Sequence, residues 1–489
     1  MPWPTPSSTR GGALTPSCQN KCMRASTTGS GRMLSVAACS HFTMRWALRE
    51  SLPEAPRAPT VETQTRPRTV TDYAVVHLVS QEMTKDLIGS QVIDHMQSQS
   101  AAGGDDRPAV TAVVFLEPAR RLTSRLTWRR RAQLARRAPR VRIAVLPVVG
   151  RMSLAGNARM LAFAIRRMVG SRPIVFHCRG ESSALWANTM RVHFPTSGSV
   201  VDVRGASPEE ILFERGFDGP ADADADALRH YEASTGRLRR VLNDAGAILT
   251  VSDTLARWLA PFTDDPRQID VVPCCVAACL YDAEQRRDAR QRLGVNDKLV
   301  LAYVGTMTGY QHVTDGALKF VAHALAMNES VHLLALTNEP TKLQAAAREL
   351  GIPVNRATIR RVPQEEVASH LIAADAGLLL RQPSQMNRVS MPVKLGEYLS
   401  CGVPVIVSRM DGWVDNLVSE GGAGLAIDWF GLSNERHQST VRMVLSALAA
   451  QGAQLSDNAL RLCRERFVWP RYTDTVRQAY TRSLSQSSR

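Results

Sequence analysis

Short apolar segments rich in Val, Ile and Leu alternate with longer amphipathic stretches along most of the chain. This alternation is typical of parallel sheets with helices on both faces, because a strand buried on both sides is apolar along its whole length. Strands of a first unit are predicted at Tyr73 to Val79, Thr111 to Leu116, Val141 to Leu146, Ile174 to His177, Ser199 to Val203, Gly246 to Val251 and Ile269 to Val272. After a polar, helix-like stretch the pattern restarts, and strands of a second unit are predicted at Leu299 to Val304, Val331 to Leu336, Ala357 to Val362, Asp375 to Leu380, Val405 to Ser408 and Gly424 to Ile427.

Two such units predict an α/β protein with two doubly wound, Rossmann-like domains that face each other across a cleft. We place the first domain at residues 70–278, the second at 279–466 and a final segment at 467–489. In the final segment, aromatic residues at near-helical spacing predict a helix that packs back on the first domain. Because ligands of open parallel sheets bind beyond the carboxyl ends of the strands, the site is expected in the loops that follow them.

Residues 1–69 show no sustained hydrophobic period of two residues, as in a strand, or of 3.6 residues, as in a helix. The first 68 residues contain eight prolines. We therefore expect this tail to be disordered. Its Arg, Ser and Thr bias resembles a transit peptide, whereas a secretory signal would need a continuous apolar stretch that is missing. The alternative is that translation starts later, for example at Met33 or Met44.

The 489 residues are 44% hydrophobic and 21% charged, which is enough to bury a large core. The net charge of +15 points to an anionic partner. The segment from Arg120 to Arg142 carries ten arginines and no acid, so it could contact an anionic membrane surface or form a solvated helix face. We find no recognition motif for nucleic acid and no apolar stretch of about 18 residues that would span a membrane.

Nine cysteines lack zinc-like spacing, which favours a reducing compartment. We expect Cys274, Cys275 and Cys279 to be small buried residues near the domain linker. The expected location is cytoplasmic, at the inner face of the plasma membrane if the arginine segment binds lipid.

The sharpest chemical signal is a short helix predicted at Pro392 to Ser400, with Ser390 or Met391 at its cap and Gly402 after its end. Its free N–H groups would form an anion site that suits a diphosphate, near Arg381, Asn387 and Lys394. Glu397 lies three residues after Lys394, so both side chains can lean to one face. The alternative is an exposed pair on an ordinary surface helix.

The run Ser-Met-Pro-Val-Lys-Leu-Gly-Glu-Tyr-Leu-Ser-Cys-Gly-Val-Pro-Val-Ile, which starts at Ser390, resembles the donor-binding segment of retaining glycosyltransferases with the GT-B fold. These enzymes form the large family four, or glycosyl transferases group 1, which includes sucrose synthases and many bacterial polysaccharide enzymes. The resemblance implies that Glu397 holds the ribose of a nucleoside-diphosphate sugar and that Lys394, Arg381, Asn387 and Ser390 belong to the donor site.

Weaker likenesses cover most of the chain from Val75 onward. The segment Leu301-Ala-Tyr-Val-Gly-Thr-Met is similar to the first donor-domain strand and turn, which implies that Gly305 and Thr306 approach the phosphates. The segment that begins at Ile88 resembles a glycine-containing loop on the acceptor side, with Gly89 and Ser90.

The sequence departs from the family pattern in ways that bear on catalysis. Val389 stands where many relatives have a second Glu, and the turn Thr308-Gly-Tyr-Gln-His replaces a basic pair, so we infer that Arg381 and Lys394 meet the phosphate charge. The histidine near the reacting sugar in many relatives corresponds to His177 or to Arg179, which are our catalytic candidates. The alternative for His177 is a strand-end histidine hydrogen-bonded in the core.

Asp222, Asp224 and Asp226 resemble a manganese motif of another glycosyltransferase fold, but they are better explained as charges that compensate a helix dipole. We therefore predict a metal-independent transferase of the hexosyltransferase type, with no cofactor besides its nucleotide-sugar donor. It would transfer sugar with retention to a carbohydrate or lipid-linked acceptor hydroxyl in surface polysaccharide or glycolipid assembly. Val389 and the missing basic pair leave one alternative open, a catalytically inactive scaffold that binds sugar nucleotides.

Overall fold

The computed structural model describes residues 72–80, 83, 85, 87–103, 108–307 and 314–486. These residues belong to one compact unit that spans residues 68–489. The predicted tail at residues 1–69 and the turn from Thr308 to His312 lie outside the described residues.

The first sheet has seven strands in the order β3-β2-β1-β4-β5-β6-β7, and every pair is parallel. Its strands are β1 Ala74–Val79, β2 Val110–Pro118, β3 Arg142–Val148, β4 Ile174–Arg179, β5 Ser197–Val203, β6 Ala247–Thr250 and β7 Ile269–Val271. The helices that connect them are α1 Asp94–Ala101, α2 Arg125–Arg137, α3 Leu154–Val169, α4 Gly180–Arg191, α5 Ser207–Glu214, α6 Ala225–Asn243 and α7 Asp253–Leu259.

The second sheet has six parallel strands in the order β10-β9-β8-β11-β12-β13. Its strands are β8 Leu299–Val304, β9 Val331–Leu336, β10 Ala357–Arg360, β11 Ala376–Leu379, β12 Val405–Ser408 and β13 Gly424–Ile427. Its helices are α8 Ala283–Leu293, α9 Lys319–Met327, α10 Pro340–Glu349, α11 Val367–Leu371, α12 Gln385–Val389, α13 Val393–Ser400, α14 Trp413–Glu420 and α15 Asn434–Arg466. The last helix, α16 Thr473–Gln486, belongs to the first domain. The predicted architecture of two Rossmann-like domains is confirmed.

The central strands are largely apolar because each one contributes to two cores. In β1, Val76 and Leu78 join the hydrophobic cluster on one face of the sheet, while Val75 and Val79 join the cluster on the other face. Successive side chains of a strand point to opposite faces, so a central strand covered by helices on both sides has no polar face to show.

The chain ends on the first domain. A turn of 3-10 helix at Trp469–Tyr472 precedes α16. The aromatic residues Trp469 and Tyr472, which the sequence predicted in the helix, therefore lie before its start. Trp469 is buried and its Nε1 donates to the carbonyl of Ser90 at 3.1 Å. α16 lies so close to β5 that a Cβ at Gly198 would be 2.4 Å from Oγ of Ser483. This packing fixes α16 against the first sheet.

The aspartates around residue 224 have the role expected from helix electrostatics. Asp224 is the N-cap of α6, where its carboxylate accepts from the N–H of Ala227 at 2.8 Å, and Asp226 lies in the first turn. Such acids offset the positive end of the helix dipole.

The arginine-rich segment forms α2 and its neighbours, and several of its guanidinium groups are engaged within the protein. Arg137 forms a bidentate pair with Asp94, and Arg131 donates to the carbonyl of Ile143. Leu126 and Trp128 of α2 are exposed at 63% and 46%. Within the described residues, no helix combines the length and apolar character that crossing a membrane would require.

Candidate functional site

A cavity of about 710 Å³ lies where the carboxyl ends of the two sheets face each other. The first domain lines it with residues that follow β4 and β5, and the second domain lines it with residues that follow β8, β9 and β11 and with the start of α13. This volume is ample for a nucleotide sugar, since ligand pockets measure roughly 300 to 1,000 Å³. The cleft expected beyond the carboxyl ends of the strands is therefore present.

Gly305 and Lys394 approach each other closely at one end of this cavity. Gly305 follows β8 with φ of 143°, and a Cβ on it would lie 2.1 Å from Nζ of Lys394. Only glycine tolerates this backbone conformation without strain and also leaves space for the ammonium group. The predicted phosphate turn and the predicted cation therefore form one surface, which Thr306 continues.

The environment of Lys394 changes its protonation. The pKa of Lys394 is lowered to about 7, mainly by burial; the charge of Glu397 opposes this shift and the charge of Arg381 adds to it. Nζ lies 5.2 Å from the centre of the Tyr303 ring, an arrangement that stabilises the cation. A bound diphosphate would supply the negative charge that keeps this ammonium protonated.

Glu397 faces the same cavity one turn into α13. Its carboxylate accepts from Nε2 of Gln364 at 2.7 Å. Burial raises the pKa of Glu397, whereas the bond from Gln364 and the charge of Lys394 lower it. A carboxylate oriented by an amide in this way can accept bonds from vicinal hydroxyls of a ribose.

The start of α13 differs from the sequence prediction. Pro392 itself is the N-cap, no side chain caps the helix, and Ser390 instead follows the last residue of α12. The predicted cap by Ser390 or Met391 is wrong because the proline turn ends one helix and begins the next. The uncapped N–H groups of α13 remain available to an anion.

Arg381 is held by two of the residues predicted for the donor site. Its Nη1 donates to Oγ of Ser390 at 2.8 Å and to Oδ1 of Asn387 at 3.2 Å. Arg381 and Ser390 line the cavity, whereas Asn387 is buried at 1% exposure behind the guanidinium group. Asn387 is therefore placed to orient Arg381. Val389 is also buried, and its carbonyl accepts from Oγ of Ser252 in the first domain.

The two catalytic candidates of the first domain occupy different places. Arg179 is the last residue of β4 and lines the cavity. His177 is fully buried two residues earlier, where its Nδ1 is 2.8 Å from the hydroxyl oxygen of Tyr480. This is the core arrangement that the sequence left open for His177. Gly89 and Ser90, which resembled an acceptor-side loop, instead begin a buried π-helical turn at Gly89–Ile93. The cavity is lined nearby by Lys85 and Leu87.

Three buried imidazoles form a layer under this end of the first sheet. One candidate ligand atom from each of His77, His95 and His177 lies within 4.8 Å of the others. The rings of His77 and His177 are stacked with centroids 4.2 Å apart and planes 14° apart. Because a ring nitrogen directs its lone pair in the ring plane, two stacked rings cannot both point at one ion. Burial lowers the pKa of His77 and of His95, which favours the neutral form of these two rings.

Several residues that line the cavity were not predicted from the sequence, and Gln364 and Arg204 are two of them. Gln364 follows β10 and touches Glu397 from 33 positions away, and Arg204 follows β5 beside Arg179. Their position after predicted strands was the available signal, since loops at the carboxyl ends of parallel strands meet at one edge. The sequence did not show which of those loop residues face inward.

The fold and the cavity together define a class, the GT-B proteins, in which two Rossmann-like domains enclose a cleft. Residues 285–439, which lie in the second domain, match the family model of the glycosyl transferases group 1. The resemblance noted from the segment at Ser390 is confirmed by this match.

Solved structures with the same fold cover nearly the whole described chain. Anabaena HepE in complex with UDP is 14% identical, covers 85% of this chain and 100% of its own, and has a TM-score of 0.57. Sucrose-phosphate synthase from Thermosynechococcus elongatus is 16% identical, with the same coverages and a TM-score of 0.59. At this identity the likeness shows the fold.

Two curated relatives are both named D-inositol 3-phosphate glycosyltransferase. The protein from Geodermatophilus obscurus is 25% identical over 252 residues, which are 49% of this chain and 53% of the relative. The protein from Segniliparus rotundus is 26% identical over 233 residues, which are 46% of this chain and 49% of the relative. The chain thus spans about half the length of the curated relatives it matches.

Proposed function

We propose that this protein transfers a sugar from a nucleoside-diphosphate sugar to an acceptor hydroxyl. The donor binds the second domain and the acceptor binds the first. One observation carries the proposal: Gly305, Lys394 and Glu397 meet at the uncapped start of α13, in a cavity that Arg179 enters from the opposite domain. This arrangement offers a carboxylate that can bind the ribose and cationic groups that can bind the diphosphate. The first domain supplies the opposite wall, against which the substrate that receives the sugar can bind.

In the proposed reaction, the bond between the anomeric carbon and the diphosphate breaks and a bond to the acceptor oxygen forms. Negative charge then develops on the leaving diphosphate. Lys394, Arg381 and the N–H groups of α13 are placed to stabilise that charge, so we propose a metal-independent reaction. The family resemblance supports retention of anomeric configuration.

For the donor, we propose a UDP-sugar. HepE, which shares the fold, has been crystallised with UDP and with UDP-glucose. For the acceptor, two classes are compatible with the comparisons and the sequence. The curated relatives are named for a phosphorylated polyol, D-inositol 3-phosphate, whereas the sequence resemblance extends to enzymes of surface polysaccharide and glycolipid assembly.

Replacement of Glu397 by Ala tests the donor site directly. We expect donor affinity to fall by roughly 1 to 3 kcal/mol, the value of lost hydrogen bonds to a charged group. Calorimetric titration with UDP-, GDP- and ADP-glucose measures it, and Glu397→Gln is the matched variant that keeps the shape. Unchanged affinity in Glu397→Ala would refute the proposed donor site.

Transfer is tested separately from binding. We expect product from a panel of nucleotide sugars in the presence of a metal chelator. Donor binding without hydrolysis or transfer to any acceptor would instead support the inactive scaffold that Val389 suggested. Loss of transfer on chelation would refute metal independence.

We also propose that α2 contacts an anionic membrane from the cytoplasmic side. Trp128 and Leu126 are exposed beside the arginines, and an amphipathic basic surface of this kind binds anionic lipid. Flotation with vesicles that contain phosphatidylglycerol should recover the protein, and Trp128→Ser with Leu126→Ser should reduce recovery. Equal flotation with neutral vesicles would contradict the proposal.

A further inference from the structure

The acceptor side of the cavity carries more positive charge than a neutral sugar hydroxyl needs. Six basic and two acidic side chains line the cavity. The second domain contributes Arg361, Arg381 and Lys394, and the donor diphosphate accounts for Lys394 and Arg381 in the proposed function. The first domain contributes three further basic residues, which are Lys85, Arg179 and Arg204.

Arg179 and Arg204 are neighbours because their strands are paired. The parallel register sets Arg179 at the end of β4 opposite Asp202 in β5, and Arg204 follows β5 directly. Burial, and then the neighbouring Arg204, lower the pKa of Arg179 to about 10. The two guanidinium groups therefore repel each other inside the protein.

Asp202 accepts a hydrogen bond from only one of these cations, Arg204. Its carboxylate accepts from Nη1 of Arg204 at 3.4 Å and is 1% exposed. Arg204 is further fixed by Gln91, whose Oε1 accepts from its Nη2 at 2.6 Å. One buried carboxylate thus faces two guanidinium groups, of which Arg179 is buried and Arg204 is partly buried. Glu210 is the other acid on this wall, and burial raises its pKa.

Arg179 is the guanidinium group to which Asp202 and Gln91 make no hydrogen bond. It is 7% exposed, and its Nε and Nη1 have no hydrogen-bond partner among the described residues. A buried unpaired cation is costly, so such groups normally face an anionic ligand. α4 begins at Gly180, directly after Arg179, without a side-chain cap, so its N–H groups add positive potential beside the guanidinium group.

We infer that Arg179, supported by Arg204 and by Lys85 at the rim, binds a phosphate group of the acceptor. A guanidinium fork matches phosphate oxygens in two parallel hydrogen bonds. This inference rests on the proposed function and narrows its acceptor to a phosphorylated polyol or a phosphate-bearing lipid headgroup. The hydroxyl that receives the sugar would belong to the same molecule, held across the cavity from the donor.

Direct binding in the presence of saturating UDP tests the subsite without turnover, because UDP occupies the donor phosphate site. Calorimetry should detect D-inositol 3-phosphate and not inositol. Replacement of Arg179 by Gln should weaken the phosphorylated ligand roughly tenfold to a hundredfold, the range of a charge-assisted bidentate pair. Arg179→Lys should retain part of the affinity, and Arg159→Gln, an exposed change on α3, should retain all of it.

The affinity for UDP alone separates this inference from the proposed function. We expect Arg179→Gln to bind UDP as the wild type does. A wild type that binds UDP but does not discriminate phosphorylated from unphosphorylated polyol would overturn the phosphate subsite and leave the donor site standing. Weaker UDP binding in Arg179→Gln would also overturn it, because Arg179 would then serve the donor.

A second comparison shows whether the phosphate-bearing acceptor is a soluble polyol or a lipid headgroup. Transfer to soluble D-inositol 3-phosphate is measured beside transfer to phosphatidylinositol in vesicles. Preference for the soluble compound identifies a free phosphate ester, and preference for the vesicle identifies a lipid headgroup. In either case Arg179→Gln should raise the acceptor KM more than it lowers kcat. An equal KM in variant and wild type would contradict the inference.

Discussion

The binding of a nucleotide sugar is expected to take up a proton at Lys394. In the free protein, burial lowers the pKa of this lysine to about 7 from the ordinary 10.5. A diphosphate beside Nζ favours the charged form and raises the pKa again. Above pH 7, Lys394 is mostly neutral in the protein without donor and protonated in the complex with donor. Each binding event then takes up a proton.

The sign and size of the effect follow from this difference. Because the complex holds more protons than the free protein above the lower pKa, affinity falls as pH rises through that pKa. The expected slope is about tenfold, or about 1.4 kcal/mol, for each pH unit. Between about pH 6 and about pH 8.5, a free pKa near 7 gives a loss of about thirtyfold.

Calorimetric titration with UDP-glucose measures this linkage. UDP-glucose is preferred over UDP because its diphosphate has no second ionisation in this range. Titrations in two buffers with different ionisation enthalpies give the number of protons taken up, which should approach one at the higher pH. Lys394→Arg keeps the charge at every pH and should bind with little pH dependence.

Two results would refute the reasoning. Wild-type affinity that stays constant from about pH 6 to about pH 8.5 would show that Lys394 is fully protonated before the donor binds. A pH slope that persists in Lys394→Arg would assign the proton to another group.

Three further predictions concern neighbouring contacts. Gly305→Ala should weaken UDP-glucose roughly tenfold or more, because the new Cβ would lie 2.1 Å from Nζ of Lys394 and the φ of 143° strains alanine; unchanged calorimetric affinity would contradict the close approach. Gln364→Ala removes a bond that lowers the pKa of Glu397, so donor affinity should fall most steeply at acid pH, where the carboxylate protonates first; a uniform loss at all pH values would contradict this role. Tyr480→Phe should lower the free energy of unfolding by about 1 to 2 kcal/mol, because Nδ1 of buried His177 loses its hydrogen-bond partner. An unchanged midpoint of urea unfolding would show that this hydrogen bond does not stabilise the fold.

The architecture could be read from the sequence because its signal is local. All thirteen strands of the two sheets overlap the apolar runs that predicted them. A strand buried on both faces needs a continuous apolar run, and that requirement is met within a few residues of the chain. The family segment from Ser390 is equally local, and it located Lys394 and Glu397 on one short helix.

The boundaries and pairings of the site are not local. Pro392 caps α13 instead of Ser390, because the chain before it closes a separate short helix, α12. Glu397 finds its partner Gln364 across 33 residues, and His177 finds Tyr480 across 303 residues. No spacing rule covers contacts that depend on how separate elements pack.

The sequence by itself predicted two Rossmann-like domains and a short helix whose Lys394 and Glu397 line the cavity. Only the tertiary structure decided which loop residues face the cavity and what their surroundings do to their charge. The pairing of β4 with β5 sets Arg179 beside Arg204, and burial changes the protonation of Lys394. Charge in a protein depends on the solvent and the neighbours around each group, and these are fixed only when the domains pack together.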